Sequence, residues 1–151
     1  MSIQKTELQL RVNDRKVNAY LAAPQAGGPG ILVLHAWWGL KPFFKQVCDR
    51  LAEQGFVALA PDLRNGEVAQ TIEAAMELMK KSDGKFVSAV ILAAEDYLLN
   101  YPSKKGPQIG ILGFSMGGAW SLYEANRAPD KFAAAVVFYG SRESDYEGMQ
   151  A

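Results

Sequence analysis

The chain has 151 residues, 49% hydrophobic and 21% charged, a composition that suits one soluble globular domain and excludes disorder, collagen and low complexity. Sixteen basic residues balance sixteen acidic ones with no run of Lys or Arg longer than two, so no nucleic-acid or membrane partner is expected. A single Cys and a single His exclude a disulfide framework and the usual metal clusters, and an N-terminus without an apolar signal core makes the cytoplasm the expected compartment.

Leu8, Leu10 and Val12 alternate with polar residues, as do Val17, Ala19 and Leu21, and Asn13-Asp14 lies between the two runs, which reads as a β-hairpin. A loop from Gln25 to Gly30 leads into Ile31–Leu34, an apolar run of the kind found in a strand covered on both faces. Phe44, Val47, Cys48 and Leu51 then recur at helical spacing between Lys41 and Gln54, and Gly55 is the natural stop. Cys48 lies on the apolar face of this helix and reads as a core thiol. A second buried strand, Phe56–Ala60, ends at Pro61, and Asp62 after it reads as a turn cap.

Helical spacing returns at Ile72, Ala75, Met76 and Met79, which puts both methionines in the core. It returns again at Val87, Val90, Ile91, Ala94 and Leu98 after a break at Ser82–Gly84. Gln108–Leu112 is a third buried strand, a helix opens after Ser115, and Ala133–Tyr139 is a fourth strand. A hairpin followed by repeated β-α units implies an α/β layer architecture, one domain over 1–151, with a mainly parallel sheet and helices on both faces.

Gly113-Phe114-Ser115-Met116-Gly117 falls between a predicted strand and a predicted helix. In that context a G-x-S-x-G sequence forms a nucleophile elbow, a strained turn that lifts the Ser115 hydroxyl to the carboxyl end of the sheet. Gly113 and Gly117 are required because a side chain at either position would collide with the neighbouring strand and helix. Oxyanion donors are expected from the residue after the nucleophile and from the loop after the first central strand, which assigns the backbone N–H groups of Met116 and Trp37. Trp37 and Trp38 are candidates for lining an acyl pocket, with a core position the alternative for one of them. His35 precedes the nucleophile, whereas folds built on a G-x-S-x-G elbow order their catalytic triad Ser, acid, His, so His35 reads as a structural residue that hydrogen-bonds its loop.

These pieces resemble the dienelactone hydrolase family of α/β-hydrolases. The matching stretches are Leu34–Leu40, Ala60–Leu63, Gly113–Gly118 and Phe138–Gly140, in the family's order. The resemblance implies an α/β-hydrolase-like fold, no cofactor and no metal. It also implies hydrolysis of small ester or lactone substrates through an acyl-enzyme on Ser115. Well-known members carry Cys at the elbow and Glu after the loop His, where this chain has Ser115 and Ala36. A carboxylate helps handle a thiol proton but does little for a Ser hydroxyl, which shifts the expectation toward a general esterase.

The resemblance also implies a catalytic acid and His roughly 50 and 80 residues after the nucleophile. Only 36 residues follow Ser115, Asp145 comes too early for the acid, and no His follows residue 35. The expectation is therefore a hydrolase domain whose last strands are missing at the C-terminus, with self-association through the apolar strand at 133–139. The alternative function is a non-catalytic interaction protein that keeps a truncated hydrolase fold.

Overall fold

The computed structural model describes residues 2–142, so Asp145 lies outside the described residues. Strands β1 (Ile3–Val12) and β2 (Arg15–Pro24) form the expected hairpin, with Val12 opposite Arg15. So tight a reversal needs left-handed backbone, which Asn13 supplies at φ 52°.

The β-α alternation follows as β3 (Gly28–Leu34), α1 (Pro42–Glu53), β4 (Val57–Pro61), α2 (Ile72–Lys80), α3 (Gly84–Leu99), β5 (Lys104–Phe114), α4 (Met116–Arg127) and β6 (Phe132–Phe138). The strands form one sheet in the order β1-β2-β4-β3-β5-β6. β4, β3, β5 and β6 are parallel, and β2 joins the hairpin antiparallel to β4. β3 and β5 begin earlier than their apolar runs because backbone pairing continues at Gly28↔Lys104 and Pro29↔Lys105, where side-chain character carries no signal.

Local chemistry sets the helix boundaries. Pro42 opens α1, where its fixed φ suits the first turn, and Gly55 at φ 93° follows its end. Thr71 Oγ1 accepts from the Ala74 N–H to cap α2, and an Asp83 carboxylate oxygen accepts from the Lys85 N–H to cap α3.

On one face of the sheet, Val87, Val90, Ile91 and Leu98 of α3 and Ala125 of α4 belong to one core with Leu32, Leu34, Ile109 and Ile111. On the other face, Cys48 and Ala52 of α1 meet Val33, Ala58 and Ala60. Burial pushes the Cys48 thiol up to about 12, so it is the core thiol its position suggested. Charge ties α3 to α4 as well: the Arg127 guanidinium of α4 donates to the Glu95 carboxylate of α3 at 3.4 Å, and Lys131, just past the end of α4, donates to the same carboxylate at 3.2 Å.

Two expectations need correction. Met76 and Met79 are exposed, because Ala75 alone of α2 is buried. Periodicity identifies residues that share a helix face without showing that anything covers that face. β6, read from its apolar run as a further buried strand, has Val136 and Phe138 exposed, and it is the sheet's last strand among the described residues, the uncovered position that the expectation of missing last strands supposed. No helix among the described residues is long and apolar enough to cross a membrane.

Candidate active site

The carboxyl ends of the parallel strands β3 and β5 bring two loops together. β5 ends at Phe114, and the chain turns at Ser115 into α4. Ser115 sits at φ 52°, ψ −111°, a backbone conformation that L-residues adopt only under strain, and the residue is exposed. Its N–H donates to the Phe138 carbonyl oxygen at 2.8 Å, and its own carbonyl accepts from Ala119 at 3.0 Å. The turn is thereby tied to β6 on one side and to the first turn of α4 on the other.

Glycine is required around this turn for reasons the geometry makes explicit. A Cβ on Gly113 would fall well inside contact distance of the Gly117 carbonyl oxygen, and one on Gly117 would overlap the carbonyl oxygen of Leu34 at the end of β3. Ser121 Oγ donates to the Gly117 carbonyl at 2.8 Å, which satisfies an oxygen at this crowded junction. The residues Gly113, Ser115, Met116 and Gly117 predicted from the motif therefore lie in one strand-turn-helix unit packed onto the end of β3.

Trp37 lies on the loop after β3. Gly39 donates to Ala36 at 3.3 Å and Ala69 donates to the Trp38 carbonyl at 2.9 Å, so the loop is anchored by its own turn and by the segment before α2. A cavity of about 500 Å³ opens beside Ser115, walled in part by Ala36, Trp38, Phe44 and Phe114. Trp38 is thus the tryptophan of the pair that lines it, and Trp37 packs edge-on against Trp38 at 5.7 Å. The sequence reading missed Lys41, Phe43, Gln70, Phe114 and Tyr139 as wall residues. Phe114 sits inside the elbow motif and Tyr139 at the end of a strand, positions whose location alone could have flagged them.

His35 is buried and committed to structure. Its Nε2 accepts from the Leu63 N–H at 2.9 Å, which leaves the proton on Nδ1, where it donates to the Ala36 carbonyl at 2.7 Å. Asp62 accepts from the N–H groups of Arg64 at 2.9 Å and Gly66 at 2.6 Å, the turn cap expected of it. Burial holds the imidazole down to about 4, against an ordinary value of 6.5, so the native state favours the neutral ring. Below 6.5 the unfolded chain takes up a proton that the folded chain refuses. Stability is therefore expected to fall as pH drops from about 6.5 toward about 4. An NMR titration of the single imidazole that gave a value of 6 or above would contradict this burial.

A family model described as the dienelactone hydrolase family matches residues 17–150. Protein usf of Aquifex pyrophilus is 39% identical over 139 residues, covering 88% of this chain and 60% of that protein. A protein of Aquifex aeolicus named "Putative carboxymethylenebutenolidase" is 36% identical over 143 residues with the same coverage. The chain thus spans about 60% of the length of these relatives. Among solved structures, the dienelactone hydrolase-like promiscuous phosphotriesterase P91 from metagenomic libraries superposes with a TM-score of 0.81 at 23% identity, covering 98% of this chain and 64% of that one. Dienelactone hydrolase from Anabaena variabilis gives 0.71 at 22% identity, covering 93% and 65%. At such identity these two likenesses speak for the fold alone, which is that of the α/β-hydrolases.

Proposed function

This chain belongs to the dienelactone hydrolase family, and on that footing we propose that it cleaves carboxylic esters or lactones through an acyl-enzyme on Ser115. The observation that carries the reading is an exposed serine held at φ 52°, ψ −111° on a strand-to-helix turn, beside a cavity of about 500 Å³. Strain of that kind, of order 1–3 kcal/mol, persists where the surroundings over-determine it, and such places cluster at reacting groups.

The chemistry follows from the positions. Ser115 Oγ bonds to the acyl carbon as its proton passes to a base, and the carbonyl electron pair moves onto oxygen, where the N–H groups of Trp37 and Met116 stabilise it. Return of that pair breaks the ester C–O bond, and the leaving oxygen takes up a proton. Water repeats the two steps on the acyl-enzyme and releases the acid. Neither a metal nor a cofactor enters this balance. The one imidazole of these 151 residues is His35, whose Nε2 is already engaged by Leu63, so the mechanism draws its base from outside them. Names borne by relatives support the substrate class, among them a Bradyrhizobium protein named as a probable lactonase of 2-oxo-3-(5-oxofuran-2-ylidene)propanoate.

Treatment of a polypeptide of the relatives' length with a fluorophosphonate, followed by peptide mass spectrometry, is expected to place the label on Ser115. The 151-residue chain itself is expected to hydrolyse p-nitrophenyl acetate well below ~1 per second, since it lacks an imidazole free to serve Ser115. Absence of both label and turnover at the relatives' length would overturn the reading in favour of a non-catalytic protein on the same fold.

A further inference from the structure

The cavity beside Ser115 has a chemical character that the elbow alone does not dictate. Five of its nine wall residues are aromatic: Trp38, Phe43, Phe44, Phe114 and Tyr139. Phe114 is the hub, with Phe44 at 5.6 Å and 60°, Phe43 at 5.8 Å and 77°, and Phe138 stacked on it at 4.9 Å and 10°. Edge-on and stacked contacts of this kind are the geometries aromatic rings prefer. Lys41, the one charged residue of this wall, has its Nζ 4.9 Å above the Trp38 ring, so even the cation is arranged on an aromatic face.

Two of the rings are left uncovered. Phe43 is 56% exposed and Tyr139 is 86% exposed, although both belong to the wall. Tyr139 also carries strain, since it sits at φ 50°, which is a true outlier for a bulky residue. The strain is locked in from both sides. On the N-terminal side the Phe138 carbonyl is held by the Ser115 N–H at 2.8 Å. On the C-terminal side Gly140 lies so close to α4 that a Cβ there would come within 2.6 Å of the Gly118 carbonyl carbon. The elbow thus fixes the backbone that places the Tyr139 ring at the cavity beside the nucleophile.

We infer that the Ser115 cavity takes substrates bearing an aromatic ring, aryl or arylalkyl esters and lactones, and that Tyr139 is a specificity-determining residue that packs against that ring. This inference rests on the Ser115 reading for its chemistry, but its test does not. N-methylbenzamide carries the ring and has no ester to cleave, and N-methylcyclohexanecarboxamide has nearly the same bulk without the aromaticity. NMR titrations of the intact chain are expected to show the aryl amide binding about tenfold more tightly than the cyclohexyl one, with shifts at the Trp38 indole.

Tyr139→Leu keeps an apolar side chain and the Cβ, and is expected to bring the two ligands to within about threefold of each other. Tyr139→Phe should keep the full preference. Should Tyr139→Leu fold poorly, Phe43→Leu carries the same expectation from the other exposed ring. Equal binding of the two amides by the parent, or a loss in Tyr139→Phe as large as in Tyr139→Leu, would overturn the inference. Because neither amide is cleaved, the ring preference is read without any turnover at Ser115. Failure of fluorophosphonate labelling would then count against the nucleophile while leaving the ring preference to be read independently.

Discussion

Ser115→Gly is expected to unfold at a higher urea concentration than the parent chain while losing all Ser115-dependent labelling and turnover. The backbone at φ 52°, ψ −111° crowds any Cβ, and glycine adopts it without that cost. Release of strain of order 1–3 kcal/mol outweighs the ~0.5–1 kcal/mol by which glycine's extra freedom favours the unfolded chain, for a net gain of about 1 kcal/mol. Ser115→Ala keeps the Cβ and therefore the strain. It should lose turnover by on the order of 10⁴-fold or more at the relatives' length, with unchanged stability. The pair separates what the hydroxyl does from what the turn costs. If Ser115→Gly proved no more stable than Ser115→Ala, the strain argument, and with it the main support for an elbow selected for reactivity, would fail.

The elbow was legible in the sequence because its requirements are local. Glycine at 113 and 117 answers to contacts within a few residues of Ser115 and with one neighbouring strand, and the order strand, Ser, helix is readable from hydrophobic period. The hairpin, the Gly55 stop after α1 and the buried strands β3 and β4 were legible for the same reason. His35 could be read as structural from its position in chain order, and its engagement by Leu63 explains that physically.

Cover, by contrast, was not legible. Met76 and Met79 repeat at helical spacing as convincingly as Val87, Val90 and Ile91, yet only the second set joins the core, and Met79 is left exposed with the Arg64 guanidinium against its sulfur. Period reports which side chains share a face, and whether that face is buried depends on the rest of the fold. The aromatic wall escaped for a related reason. Phe43, Phe114 and Tyr139 come from a helix, the elbow and a strand end, and only the sheet order brings them together.

Gly117→Ala is expected to destabilise the fold by about 3 kcal/mol or more, although helix propensity alone would favour alanine by about 1 kcal/mol. The opposing term is steric and has no soft partner. A Cβ at Gly117 would overlap the backbone oxygen of Leu34, and β3 is hydrogen-bonded to β4 on one side and β5 on the other, so it cannot yield. The accommodation left is for α4 to lift away from the sheet. Gly84→Ala is the control: it sits at the first residue of α3 with nothing within 4 Å of its virtual Cβ, and should be neutral or stabilising by ~0.5 kcal/mol. Urea unfolding of the two variants compares them directly, and equal midpoints would show that the elbow is not seated on β3. That seating bears on function as well. Trp37 lies just beyond the end of β3 and Met116 immediately precedes Gly117. The contact that Gly117 permits therefore sets the spacing between the two N–H groups proposed to hold the oxyanion. A helix lifted by one methyl group would widen that spacing even in molecules that remain folded, so the residual folded fraction of Gly117→Ala should label more slowly at Ser115 than the parent.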